Sequence, residues 1–375
     1  MHAHYCDIII LGGGLAGLTA AIDLSLKNYR VLVLEQKSYP RHKVCGEFVS
    51  CEVQPYLERL GAFPHRFAPP RIDTFNVSDT HGQELTFPLP MPAFGVSRYN
   101  WEAFMAQRAQ DAGAELRCEQ KVTAVHWREN HFEVHTRSGQ KFTAPVAIGS
   151  YGKRSNLHRQ LSPQFAARRT EYLGVKRHYR ATIPAATVQL HNFKGGYCGI
   201  SQIEDGKVNV CYLMRQSALQ PYGSLLEFEN KGLTENPFLK SFLQEAEPLW
   251  EQPLTISQVN FSAKPCVENH VLMCGDAAGM IHPFCGNGMA MAIAAAQLAA
   301  QQVHRYFENQ CSRQMMEAGY HRRWQQLFGR RLQVGRRLNG LFGRPLWSSA
   351  ALKVGKSWPA PFQWALHNAH GTTLY

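Results

Sequence analysis

Residues 5–35 read YCDIIILGGGLAGLTAAIDLSLKNYRVLVLE. The apolar run from Tyr5 to Leu11 predicts a buried strand. Gly12, Gly14 and Gly17 follow in the spacing G-x-G-x-x-G, and residues 15–28 have helical character. A second apolar run, residues 30–34, ends on Glu35. Each part has a mechanical reason. Gly12 allows the tight turn out of the strand, Gly14 lets the backbone approach a pyrophosphate, and Gly17 lets the helix pack on the strand. The helix start offers free N–H groups and the positive end of its dipole to phosphate. Glu35 stands 18 residues after Gly17, where an acid can take ribose hydroxyls. Strand, turn, helix and acid together predict dinucleotide binding. They leave open whether the dinucleotide carries a nicotinamide or another ring.

The surrounding 375 residues can bury a large core and suggest two or three domains. Hydrophobic residues make up 45% and charged residues 18%, as in globular proteins. The longest apolar helix candidate, residues 289–300, is too short to span a bilayer. A first strand at Tyr5 leaves no room for an export signal before it. The ten cysteines include no C-x-x-C and no metal-ligand spacing. They are expected to be reduced thiols, in a cytoplasmic protein without a metal site. The net charge of +12 is concentrated near the C-terminus, at Arg322, Arg323, Arg330, Arg331, Arg336, Arg337 and Arg344.

Helices are predicted over residues 52–60, 101–112, 224–230, 237–244 and 288–307. Strands are predicted over 115–126, 131–136, 145–150, 197–202, 208–214 and 271–274. Turns fall at Glu129-Asn130 and Asp205-Gly206. The nucleotide-binding fold is thus entered at the start, left, and re-entered near residue 265. The expected division is a discontinuous cofactor domain of residues 1–70, 95–158 and 265–320. Residues 71–94 and 159–264 would form a substrate domain, and 321–375 a helical C-terminal segment.

On re-entry the chain runs Gly275-Asp276-Ala277-Ala278-Gly279-Met280-Ile281-His282-Pro283-Phe284-Cys285-Gly286-Asn287-Gly288-Met289. A strand delivers Asp276 at its carboxyl end, where open α/β sheets bind ligands. The glycines and Pro283 shape a tight loop before a helix whose positive end favours a negatively charged ring. With these residues the chain resembles FAD-dependent oxidoreductases of the group containing aromatic hydroxylases and geranylgeranyl reductases. Gly12, Gly14, Gly17 and Glu35 match the group's ADP-binding motif, and Arg98 matches its nucleotide-contacting arginine. Asp276 matches its ribityl–pyrophosphate aspartate, and Gly286 and Gly288 match its ring loop. Pro40-Arg41-His42-Lys43-Val44-Cys45-Gly46-Glu47 is similar to the P-x-x-K-x-C-G motif of the reductase branch, where the cysteine lies near the flavin.

The resemblance implies an α/β, Rossmann-like FAD-binding domain of glutathione-reductase type with an inserted, mainly antiparallel substrate sheet. It implies a cofactor site of Gly12, Gly14, Leu15, Ala16, Gly17, Glu35, Gln36, Arg41, Cys45, Gly46, Arg98, Val122, Gly275, Asp276, Gly286, Asn287, Gly288 and Met289. FAD is the expected cofactor, with NADPH or NADH as a candidate electron donor. Two segments depart from the pattern. Tyr151, in Gly149-Ser150-Tyr151-Gly152, stands where hydroxylases carry an aspartate that helps bind both FAD and NAD(P)H. Tyr197-Cys198-Gly199 lacks the tryptophan of the reductases' Y-x-W. The W-x-W-x-I-P motif of flavin halogenases is absent.

Candidate catalytic residues are Cys45, His282 and Glu47. Lys43 can depress the Cys45 thiol if the two are close; a space-filling thiol is the alternative. His282 can exchange a proton near the flavin or bond a loop carbonyl. Glu47 reads more readily as an exposed loop carboxylate than as a proton carrier. Arg323, Arg330, Arg337 and Arg344 recur every seven residues, opposite Trp324, Leu327, Phe328, Val334, Leu338, Leu341 and Phe342. This basic amphipathic stretch, residues 321–345, either covers the cofactor domain, rests on an anionic membrane or docks an acidic carrier bearing the substrate. No nucleic-acid module is visible. The leading expectation is a monooxygenase hydroxylating an apolar or aromatic molecule of secondary metabolism. A carbon–carbon double-bond reductase and a partner-dependent flavoprotein electron carrier are the alternatives.

Overall fold

Four-residue apolar strands start the architecture. Ile8–Leu11, Val31–Leu34 and Val146–Gly149 are buried along their whole length, as parallel strands covered on both faces must be. They lie in a six-stranded sheet ordered Val267–Glu268, Val271–Met273, Val146–Gly149, Ile8–Leu11, Val31–Leu34, Glu115–Arg117. All its pairings are parallel except the outermost, Val267–Glu268 with Val271–Met273. The strand order reverses beside Ile8–Leu11, so a ligand crevice forms at its carboxyl end. The computed structural model describes residues 4–153, 155–163, 171–257, 261–262, 264–280, 287–338, 345–358, 360, 363–364, 367 and 373–374.

The helices of nine or more residues are α1 (Leu15–Leu26), α2 (Arg98–Asp111), α3 (Pro237–Glu245), α4 (Gly288–Phe307), α5 (Arg313–Leu338) and α6 (Pro345–Ser357). Helix α1 packs between α2 and α4 over the parallel sheet. Small residues from Ala290 to Ala300 let α4 approach closely. A four-stranded sheet, ordered His4–Tyr5, Lys141–Ala144, His131–Thr136, Val122–Arg128, flanks this unit. The strand predicted over 115–126 is two strands in two sheets. The chain turns between them at Glu119, whose φ is +60°.

A nine-stranded sheet carries most of the middle of the chain. Its order is Glu247–Pro248, Tyr172–Arg180, Val208–Arg215, Gly196–Gln202, Thr187–Phe193, Arg71–Ser78, Glu84–Gly95, Phe48–Ser50, with Leu254–Ser257 also paired to Tyr172–Arg180. It is antiparallel except where Thr187–Phe193 meets Arg71–Ser78. The strand period of two separates its faces. Val175, Tyr179, Cys198, Val210 and Tyr212 pack under Phe228, Leu233 and Leu239 of the helical crossover. The opposite face gathers Phe75, Val77, Phe87, Leu190, Tyr197 and Leu213 against Met280 and against Leu352 of α6. That second apolar face therefore looks toward the segment that begins at Gly275.

Candidate functional site

The turn after Ile8–Leu11 admits only glycine at two points. Gly12 has φ +109°, and a Cβ there would lie 2.7 Å from the Ser150 carbonyl oxygen and 2.8 Å from Tyr151 Cα. A Cβ on Gly17 would run into the Gly12 carbonyl and come within 2.6 Å of Ser150 Oγ. Gly14 caps α1 without a side-chain acceptor, so the first N–H groups of the helix stay free for an anion. Lys43 Nζ and Arg98 Nη2 lie 3.7 and 3.8 Å from the Cβ position of Gly14. Both cations pair with one buried carboxylate, Glu102, Lys43 at 2.8 Å and Arg98 through Nε at 2.8 Å. Two positive charges against one negative leave a net cation beside a bare helix start. That donor set fits a diphosphate.

Glu35 is buried and accepts from the Gly13 N–H at 2.8 Å and the Lys37 N–H at 3.0 Å, with Arg41 at 3.0 Å. Tyr39 donates its hydroxyl to the Gly13 carbonyl. The predicted acid therefore stands over the glycine turn, held by Arg41. Gln36 is exposed, Leu15 and Ala16 are buried in α1, and Val122 is half-buried at the start of its strand.

The late segment meets this turn directly. A Cβ on Gly275 (φ +61°) would sit 3.5 Å from Ala16 Cβ and 3.4 Å from Ala292 Cβ. Gly275, Asp276, Gly279 and Gly288 line one depression with Trp324 and Phe328 of α5. Asn287 is fully buried, Gly288 exposed and Met289 buried at the start of α4. His282 and Gly286 lie outside the described residues.

Cys45 is half-buried and Gly46 exposed. Arg98 Nη1 is 4.0 Å from Cys45 Sγ, while Lys43 is engaged by Glu102. The expectation of an exposed Glu47 does not hold. Its carboxylate has no solvent exposure and accepts from the Arg98 N–H at 2.6 Å, Lys176 Nζ at 2.5 Å and His178 Nε2 at 2.7 Å. Burial alone would push this carboxyl up, but Lys176 and His178 outweigh it and hold it below the usual range. Glu47 is thus an ionised acceptor with filled lone pairs, poorly suited to delivering a proton. Lys176 and His178 were not singled out from the sequence. The available signal is their i, i+2 placement, which puts both on one face of the strand Tyr172–Arg180. His42 stacks between Tyr99 (4.4 Å) and Trp250 (4.2 Å), and burial, aided by Lys176, lowers it to about 4.

Helix α5 follows the first of the three readings of the basic stretch, the one in which it covers the cofactor domain. Trp324 and Phe328 are 3% and 1% exposed, so this part of the apolar face is spent inside the fold rather than offered to a membrane. Arg331 is buried too, bonded to Glu52 at 3.0 Å; Arg322 and Arg323 remain exposed. Among the described residues no group of His, Cys, Asp and Glu is arranged to hold a metal. No described helix is long and apolar enough to cross a membrane.

Residues 5–327 match the model of the FAD binding domain family. The chain is 25% identical over 358 residues to digeranylgeranylglycerophospholipid reductase 2 of Methanopyrus kandleri, covering 90% of this chain and 86% of that one. It is 25% identical over 318 residues to menaquinone reductase of Mycobacterium tuberculosis, covering 79% and 76%. Its fold is similar to the solved structure of pqsL, a probable FAD-dependent monooxygenase from Pseudomonas aeruginosa. The TM-score is 0.72 at 16% identity, covering 93% of this chain and all of that one. With a glycine turn shaped for a diphosphate and a family match over most of its length, the chain belongs to the FAD binding domain family and is an FAD-dependent oxidoreductase.

Proposed function

We propose that this oxidoreductase reduces a carbon–carbon double bond in an apolar small molecule. The observation that carries the reading is the Cys45 segment, buttressed between the Gly14 turn and the nine-stranded sheet. Arg98 and Lys43 approach it from the cofactor side, and Ser201 and Asn209 bond its carbonyls from the sheet. The apolar cluster of Phe75, Val77, Phe87, Leu190, Tyr197 and Leu213, packed under Met280 and Leu352, backs a site that suits a substrate without charge. FAD, when bound, supplies the two-electron transfer. The chain's own residues hold it: the Gly12–Gly17 turn and the free start of α1 take the diphosphate, Lys43 and Arg98 neutralise it, and Glu35 faces the ribose. Gly275, Asp276 and Gly288 take the far half. We read the parallel sheet as a glutathione-reductase-type cofactor domain of residues 1–70, 95–158 and 265–320. Residues 71–94 and 159–264 form the substrate domain.

This order reverses the one the sequence alone favours, in which hydroxylation leads. The reductase names of the relatives at 25% identity weigh with the Cys45 segment. One observation favours hydroxylation as the second reading: Tyr197 stands without the tryptophan that marks prenyl reductases. NADPH or NADH is the candidate donor, although Tyr151 occupies the place of the aspartate that helps bind it. The test is a screen of apolar alkenes and phenols against anaerobically reduced enzyme, followed by an oxygen pulse and product masses. A product heavier by two hydrogens before the pulse is expected. A product heavier by one oxygen, formed only after it, would overturn the proposal in favour of hydroxylation.

A further inference from the structure

We propose that Lys176 and His178 are positioning residues. Through Glu47 they clamp the Cys45 segment to the nine-stranded sheet and set how far that thiol stands from the substrate face. The role rests on the reading that the Cys45 segment borders the flavin; the clamp itself does not. Lys176 and Glu47 have no solvent exposure and His178 has 3%. Stability alone does not call for three such groups, because apolar side chains of similar volume fill buried ion-pair sites as well or better. What the ionic version adds here is direction. Glu47 has φ +53°, uncommon for a residue with a side chain, so its neighbours must hold the bend that follows Gly46.

They do so from three adjacent strands. Tyr172–Arg180 supplies Lys176 and His178 to Glu47, and Lys176 Nζ also donates to the Lys43 carbonyl at 3.1 Å. Val208–Arg215 supplies Asn209, whose amide donates to the Cys45 carbonyl at 3.3 Å and the Gly46 carbonyl at 2.8 Å. Gly196–Gln202 supplies Ser201 to the same Gly46 carbonyl at 3.4 Å. Trp250 closes the node from outside, its ring 4.6 Å from His178 and 5.9 Å from Lys176 Nζ. The sheet that forms the apolar face therefore also grips the loop beside the cofactor turn. A change in one is transmitted to the other.

The test reads the alkylation rate of Cys45 by N-ethylmaleimide in the full-length chain, with its flavin and after the flavin is stripped. Cys118, half-buried on the loop before Val122, serves as the internal reference. In Lys176→Met, Cys45 should react about tenfold faster with Cys118 unchanged, the signature of local opening. The paired variant Glu47→Gln/Lys176→Met removes both charges of the Lys176–Glu47 pair and carries the test if the single variant does not fold. It should show the same selective rise. An unchanged Cys45 rate, or an equal rise at Cys118, would overturn the clamp. Flavin that fails to slow Cys45 alkylation in the wild-type protein would instead sink the reading that this segment borders the flavin, with the clamp result standing on its own.

Discussion

Gly17 shows how much one hydrogen atom decides. Its place between the Gly12 carbonyl and Ser150 Oγ has no room for a methyl group, and both neighbours are anchored, Ser150 by its N–H on the Leu11 carbonyl at 2.9 Å. Gly17→Ala must push α1 off the strand, and flavin affinity should fall by at least about tenfold, ~1.4 kcal/mol. Flavin absorbance per mole of purified protein checks this. His191 makes a different prediction. It is buried against Phe238 with Ser78 Oγ at 2.8 Å, and burial lowers it to about 4. Below its ordinary value the unfolded chain takes up the proton and the folded chain does not, so stability falls as pH falls from about 6.5 towards 4. Between pH 7 and 5 the wild type should lose about 2 kcal/mol more than His191→Gln, read from urea midpoints at the two pH values. The glycine turn was legible in sequence because its logic is local. The burial of Glu47 was not, because its partners Lys176 and His178 lie 129 and 131 residues away.

Elements followed the same division. Helix α4 runs over Gly288–Phe307 as its apolar period predicts, and the turn at Asp205-Gly206 has two positive φ values as expected. The segment predicted as a helix over 224–230 is helical, an α turn at Leu225–Glu227 that continues as a π-helix over Phe228–Gly232. There the Tyr212 hydroxyl donates to Glu229 at 2.8 Å, within the π-helical stretch. Helix α3 depends on one residue at its start. Asn236 is fully buried; its Oδ1 accepts from the Phe238 N–H, and its amide donates to Ser78 Oγ, the Asp79 carbonyl and the Asn192 carbonyl. Asn236→Ala removes a cap worth about 1 kcal/mol and strands buried acceptors at about 1–3 kcal/mol more. Asn236→Asp keeps the cap but sets a buried carboxylate oxygen against the Asp79 and Asn192 carbonyls, so its loss in a denaturant titration should exceed that of alanine.

Across the whole molecule, the C-terminal helix is where sequence periodicity left alternatives that only the fold separates. The seven-residue spacing of arginines identifies a helix, but no periodicity says which surface its other face will find. Helix α5 turns Trp324 and Phe328 into the depression that holds Gly275 and Asp276, and Arg331 reaches across to Glu52. Arg331→Met removes a charge-assisted hydrogen bond to that buried carboxylate and should cost about 1–3 kcal/mol, read from the urea midpoint. On the proposed cofactor placement the same variant should release flavin more readily, because Trp324 and Phe328 of α5 line one depression with Gly275 and Asp276. Arg323→Met, on the exposed side, should change neither thermal midpoint nor flavin content.

The contact between Gly275 and Ala16 has a consequence for how the protein is made. Translation delivers the glycine turn first and its counterpart some 260 residues later. At about 5–20 residues per second, a nascent chain carries half a cofactor site for many seconds. On the proposed placement of the cofactor, flavin capture is a late event that awaits α4 and α5. It then acts as a mass-action lock on two distant segments that have just met. Cells short of flavin should accumulate the full-length chain in a form that proteases find easily, with the first cuts in the segments that α5 would otherwise cover.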